Sequence, residues 1–357
     1  MLNTIDDNNV MIAASCLKPV FEQDRSLICN DRLLKGVSND RSRMVRTMDR
    51  DSLKGRQAKP ERSHVVRLVA FTIALACAHT GVSADLLVPS QDETVLQSYA
   101  RLVPLVGGSN FRDMGGYATK SGKTVRRGLL FRSGVMTGLT DEDKHYLDQF
   151  GFSAIVDLRS SDEIDLYPNH WADQRKMAHH AVDYTMESLI ETMMGQDGEF
   201  LGMEAFYREM PEMLTSQLTV YFQQILEGRA PIVVNCSAGQ DRTGLAAALL
   251  LTALGVSRDV ILQDYLQSTA FRRVLVERGS VDLEAAAEHN WFARMMLAYG
   301  DHGGARAEPL MTPEGRPFLK YALEYIENAY GSVDAYLEAQ LGVDGAARRQ
   351  LKSMYLE

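Results

Sequence analysis

The chain has 357 residues, 45% of them apolar, with 38 Lys/Arg against 47 Asp/Glu and a net charge of −9. That length allows one large or two small domains, and the apolar content supports a packed core. Residues 1–84 hold 13 Lys/Arg against 9 Asp/Glu, which leaves residues 85–357 with 25 against 38 and a net charge of −13; so acidic a body argues against nucleic acid or an anionic membrane surface as partner.

The front of the chain reads as a leader. Lys54, Arg56, Lys59 and Arg62 precede an apolar run from Val65 to Ala78, and Val82-Ser83-Ala84 supplies small residues for cleavage. A basic stretch, a short apolar stretch and small residues in that order form a secretory signal, and the run is too short to span a bilayer. We expect translation to start at Met44 or Met48, a signal peptide over about residues 48–84, and a secreted or periplasmic product. The competing reading is a buried helix or short anchor, with a cytoplasmic protein if the leader does not function. Cleavage after Ala84 would remove Cys16, Cys29 and Cys77, leaving Cys236 as the one thiol and no disulfide.

Residues 100–135 read as short strands and turns around Gly107-Gly108, Gly115-Gly116 and Ser121-Gly122. Residues 116–124 look like a nucleotide phosphate loop but carry one residue too many, so a hairpin is expected. Thr140 should cap a helix running to about Phe150, ahead of a buried strand over 154–158. Charged residues at that strand's C-terminal end belong near the site of an α/β sheet. His179-His180 lack the neighbours of a metal site and are expected to be structural. The methionines at 186, 193, 194, 203, 210 and 213 are expected mainly to fill the core. One or two helices should occupy 203–227, closed by Gly228. A further helix, capped by Ser257, should reach about Glu277.

Between these last two regions lies the segment that carries chemistry, Asn235-Cys236-Ser237-Ala238-Gly239-Gln240-Asp241-Arg242-Thr243-Gly244. Pro231–Val234 leads in as a strand and Leu245–Leu250 leads out as an apolar helix. The loop amides therefore converge at a helix N-terminus, where unpaired N–H groups and the helix dipole favour an anion. A thiolate at Cys236 can act as nucleophile, favoured by the helix end and by a nearby guanidinium. Arg242 offers a planar fork for two phosphoryl oxygens. Gly239 and Gly244 permit close backbone approach. Thr243 can donate to the sulfur when it leaves, and Asp241, the one carboxylate in the loop, is the nearest general acid. A bare C-x5-R spacing is weak by itself. The other cysteines do not reproduce it: Glu22, Lys35 and Ser83 stand six residues after Cys16, Cys29 and Cys77. The flanking strand, helix and glycines supply the specificity.

With those residues in view, the chain resembles the bacterial atypical tyrosine-protein phosphatase family. CSAGQDRTG is similar to its phosphate loop, Asn110–Tyr117 to its opening NFRDLGGY, and Phe131-Arg132-Ser133 to its FRS step. Asp157-Leu158-Arg159-Ser160 with Glu163 resembles its DLRS…E strand end. Leu254-Gly255-Val256, Asp264-Tyr265-Leu266 and Tyr330–Val333 follow in the family's order, over roughly residues 100–345. The resemblance implies a metal-independent, cofactor-free protein-tyrosine or dual-specificity phosphatase working through a cysteinyl-phosphate, with a mostly parallel twisted sheet flanked by helices over residues 85–357. It places Cys236, Asp241 and Arg242 in catalysis, and Ser237, Ala238, Gly239, Gln240 and Thr243 around the phosphate. Asn235, Asp113 and Arg159 are supporting positions; for Asp113, Arg159 and Glu163 an internal salt-bridge network is the competing reading. Trp291-Phe292 and Met295-Met296-Leu297 fall where the family can carry a lid, with core packing as the alternative. The sequence departs from the family at Asn235, where it has His, and at Gln240, where it has Lys. The second change removes a charge associated with phosphoinositides, so phosphotyrosine proteins or small phosphomonoesters are the expected partners. Phosphoinositide hydrolysis, a non-catalytic phosphate-binding module and sulfur transfer are the rival functions.

Overall fold

The computed structural model describes residues 93–191, 194–195, 201–300 and 307–357. The chain divides into two units, Met1–Ser83 and Ala84–Glu357, and the described residues belong to the second. The expected leader lies outside the described residues, as does Met193.

Five short strands build one sheet: β1 Arg112–Asp113, β2 Leu130–Ser133, β3 Ala154–Asp157, β4 Ala178–Ala181 and β5 Ile232–Asn235. Their order is β1-β2-β5-β3-β4, with β1 antiparallel to β2 and every other pair parallel. β5 comes last in the sequence yet lies between β2 and β3, so long crossovers flank it on both sides. Register aligns Ser133 with Asn235 and Asn235 with Asp157. Three strands therefore end level, and the segments leaving them converge above the C-terminal edge of the sheet.

The central strands are buried on both faces, which is why they read as near-continuous apolar runs rather than as alternating ones. Ile232 and Val234 join Leu130, Ala154 and Val156 in the larger core, beneath the helix Arg242–Leu254. Val233, Phe131 and Ile155 point the other way, into a smaller cluster with Phe111, Phe150, Phe152 and Trp171. There the Phe131 and Phe152 rings meet edge to face with centroids 4.8 Å apart. Each such side chain contributes about 1.5–3 kcal/mol by leaving water.

Most local expectations hold. Thr140 caps Asp141–Asp148 in a reciprocal box with Asp143, worth about 1 kcal/mol. Residues 118–124 form the hairpin, with Gly122 at φ +80. Met186 and Met210 are buried, and Met203 and Met213 pack against the same core. Two helices, Gly202–Met213 and Thr215–Leu226, fill the expected region, and Gly228 follows at φ +78. One expectation fails. The helix begun at Arg258 ends at Phe271, and a separate turn spans Val274–Arg278. Extended backbone at Arg272 breaks it. The Asn110 N–H donates to the Phe271 carbonyl (3.0 Å) and the Arg273 N–H to Ser109 Oγ (2.8 Å), so tertiary partners replace the helical ones. Ser257 stands at the N-cap, but its hydroxyl makes no capping bond.

Candidate active site

The loop 236–241 joins β5 to the 13-residue helix Arg242–Leu254 at the centre of the sheet edge. Its shape is imposed from below. The Ser237 carbonyl accepts from the Val135 N–H at 2.9 Å. The Ala238 and Gly239 carbonyls accept from Asn110 Nδ2 at 3.1 and 2.8 Å, and Gly239 also from Arg132 Nη2 at 2.7 Å. In a planar trans peptide the N–H points opposite to the C=O, so fixing three carbonyls toward the scaffold turns the amides of Ala238, Gly239 and Gln240 the other way. Among the described residues no acceptor takes the N–H groups of Ser237 through Asp241. Five consecutive donors at a helix N-terminus make an anion cradle. Gly239 is required there: its φ is +66, and a Cβ would stand 2.5 Å from the Ser133 carbonyl oxygen.

Cys236 sits at the base of the cradle, 2% exposed. Arg242 opens the helix, and its guanidinium is gripped end-on by Glu163 through two bonds of 2.6 Å. Nη1 also meets the Leu158 carbonyl (3.2 Å) and the Tyr184 hydroxyl (2.8 Å). Those contacts use Nη1 fully and half of Nη2. The Nε–H and the second Nη2–H, which share one edge of the plane, have no partner among the described residues. That edge is the fork that fits two phosphoryl oxygens. Burial alone would raise the Glu163 pKa, but Arg242, Ser237 Oγ at 2.5 Å and the Ser160 N–H outweigh it and hold the carboxyl below its usual range. Burial likewise works against a charged Arg242, yet Glu163 keeps it firmly protonated, and a thiolate at Cys236 adds to the same effect.

Comparison with known proteins now bears on this geometry. Residues 103–357 match the tyrosine phosphatase family. A Cupriavidus necator protein provisionally named a tyrosine-protein phosphatase is 33% identical over 258 residues, covering 70% of this chain and 86% of that one. The chain belongs to the tyrosine phosphatase family. It is a phosphoric monoester hydrolase of that family. The triple specificity protein phosphatase PtpB of Mycobacterium tuberculosis is 29% identical over 287 residues, covering 71% of this chain and 98% of that one. The catalytic core of the PP-IP phosphatase SIW14 of S. cerevisiae also matches, at 13% identity over 56% of this chain and 96% of that one. Its TM-score of 0.28 is too low to add to the assignment.

Around the phosphatase loop the remaining predicted residues fall into three positions. Asn235 and Arg159 meet on Asp157: Asn235 Nδ2 donates to its Oδ1 at 3.2 Å, Arg159 chelates both oxygens, and His179 Nε2 lies 3.1 Å from Oδ2. Burial would lift the Asp157 pKa, but Arg159 and His179 drive it well down. Asn235 thus braces the loop from below through a carboxylate, and His179 keeps a structural place on β4. Gln240 is buried, its Oε1 accepting from Arg272 Nη1 at 2.7 Å, while Arg272 Nε pairs with Glu277 at 2.8 Å. Thr243 is buried at the first turn of the helix. Asp241 accepts from the Tyr207 hydroxyl. Asp113 stands apart. Its oxygens take the Tyr99 hydroxyl and the Gly115 and Gly128 amides, a scaffold role away from the loop. Neighbouring strand residues face opposite ways, so Arg112 rather than Asp113 reaches the loop supports. At the possible lid, Phe292 is buried and Met295 and Met296 pack against the core, leaving Leu297 exposed; core packing describes this helix. Asn110, Arg132 and Asp264 lie inside quoted motifs, but only the fold shows what they hold. Tyr184, Tyr207 and Arg272 are isolated residues that no spacing marks.

Proposed function

We propose that Cys236 is the nucleophile, Arg242 the phosphoryl clamp and Asp241 the acid and base of a two-step hydrolysis. The observation that carries this reading is the run of unbonded amides that follows Cys236, three of them turned away from the scaffold, together with the unused edge of a guanidinium fixed by Glu163. The Cys236 thiolate attacks phosphorus in line, the bond from phosphorus to the ester oxygen breaks, and that oxygen takes its proton from Asp241. The developing charge on the equatorial oxygens meets donors already in place. Water then attacks the cysteinyl-phosphate and gives a proton to Asp241, and the thiolate departs with inorganic phosphate as product. In this reading the Thr243 hydroxyl donates a hydrogen bond to the sulfur as it leaves.

The neutral Gln240, tied to Arg272, favours a substrate with a single phosphate. Phosphotyrosine proteins or small aryl phosphates are therefore the proposed class, with phosphoinositides secondary. The residues from 85 onward form the catalytic domain in this reading, exported behind the leader. Para-nitrophenyl phosphate turnover by wild type and Cys236→Ser tests the core of the proposal. Loss of at least about a thousandfold is expected, and full activity in the variant would refute the mechanism. A panel of phosphotyrosine, phosphoserine and phosphoinositide substrates against wild type and Gln240→Lys tests the specificity; activity on phosphoinositides should rise in the variant.

A further inference from the structure

Asp241 is fed by a chain of hydrogen bonds that the two-step mechanism does not itself require. Tyr265 and Tyr207 lie hydroxyl to hydroxyl at 2.6 Å, and Tyr207 in turn donates to Asp241 Oδ1. Each phenol has one proton to give, and Tyr207 spends its own on Asp241, so Tyr265 donates to Tyr207. Burial first, and the nearby Asp241 second, hold the Tyr207 hydroxyl well above its ordinary pKa, so it stays a donor at every working pH. Hydrogen bonds aligned in one direction polarise each other, so the Tyr265 bond strengthens the one that Tyr207 gives to Asp241.

We propose that Tyr207, backed by Tyr265, is a positioning residue that selects which Asp241 oxygen carries the catalytic proton. With Oδ1 committed to the tyrosine, the proton resides on Oδ2, which has no partner among the described residues. Tyr207 cannot drift: it is fully buried, and its ring stacks on Phe318 at 5.7 Å. Tyr265 is held against Gly244, where a Cβ would come within 2.9 Å of its ring. The carboxyl group that must meet the leaving oxygen is thus oriented by a core that never touches substrate.

This inference rests on Asp241 being the general acid, and the experiment separates the two ideas. Tyr207→Phe keeps the ring and its packing while removing the hydroxyl, and thermal unfolding of each variant reports any loss of fold. On an alkyl phosphate or phenyl phosphate, whose leaving groups need the proton, kcat should fall about tenfold. On para-nitrophenyl phosphate, whose leaving group hardly needs it, the fall should be less than about twofold. In an Asp241→Asn background the same substitution should do nothing further. If Asp241→Asn shows no dependence on leaving group, the acid assignment itself is wrong. If Asp241→Asn shows that dependence while Tyr207→Phe leaves the dependence as in wild type, the positioning role is refuted. Equal losses on all substrates from Tyr207→Phe would also refute it, since a general structural defect acts without regard to leaving group.

Discussion

Two clusters of buried arginines flank the loop, and they differ in one respect. On one side Arg112 and Arg132 share Asp264, at 3.2 and 2.6 Å. Their other bonds run to Asn110 Oδ1, to Ser268 Oγ and to the carbonyls of Asp264 and Gly239, and the Arg132 Nε–H is buried without a partner. Burial first, then the neighbouring charge of Arg132, lowers the Arg112 pKa to about 10, with Asp264 opposing. On the other side Arg242 is just as firmly paired with Glu163, yet it keeps one edge unspent. Both clusters carry the cost of dehydrating ions and recover it through close, multiple bonds. Burial, pairing and a spare donor therefore do not tell the scaffold arginine from the working one: Arg132 leaves a single Nε–H sealed in the core, whereas Arg242 keeps two adjacent donors on one edge, the fork that fits a phosphoryl group.

That contrast can be broken most sharply at Arg242. Arg242→Ala should lower kcat/KM for para-nitrophenyl phosphate by about a thousandfold or more, the scale of losing a preorganised transition-state donor. Steady-state kinetics on protein confirmed to be folded would show it, and an active variant would put Arg242 with the scaffold group. Asp264→Ala strands two buried guanidinium groups and should destabilise by about 3–5 kcal/mol in denaturant titration. Its folded fraction should keep turnover within about tenfold of wild type; a greater loss would mean that the two clusters are not separate in function.

Acid provides the mildest probe, since it acts on both clusters together. Glu163, Asp157 and Asp264 are each held below ordinary carboxylate values: burial opposes this in every case, and the arginine partners prevail. Carboxylates with depressed folded pKa values add stability that is present in full above their unfolded values of about 4 and is lost as pH falls through the folded values. Unfolding free energy should be level from about pH 7 to 5 as far as these groups decide it, then drop as pH falls below about 4. In Asp264→Asn the drop should be shallower. An unchanged slope in that variant would show that Asp264 does not titrate on unfolding.

Much of the fold was legible because its signals are local. The Thr140 box, Gly228 at its helix end and the apolar runs of β3 and β5 each act through neighbours within a few residues. The break at Arg272 was not legible: the residues that take over its hydrogen bonds, Ser109 and Asn110, lie some 160 positions away in sequence. The same limit applies to Asp113. Its place beside Arg112 in the NFRD step drew attention to it, but strand alternation sends the two side chains to opposite faces.

By itself the sequence determined the chemistry on offer: a thiol, a carboxylate and a guanidinium in a glycine-bearing loop between an apolar strand and an apolar helix. Spacing along the backbone is enough for that, because a strand-loop-helix unit sets its own amide directions near the helix end. Only the tertiary structure decided how those groups are held. β5 is inserted between β2 and β3, which brings Arg132, Asn110, Glu163 and Tyr207 onto the loop from four separate segments. Contacts of such long range leave no periodic trace in the chain, since each requires only one residue of the right type at a position fixed by packing.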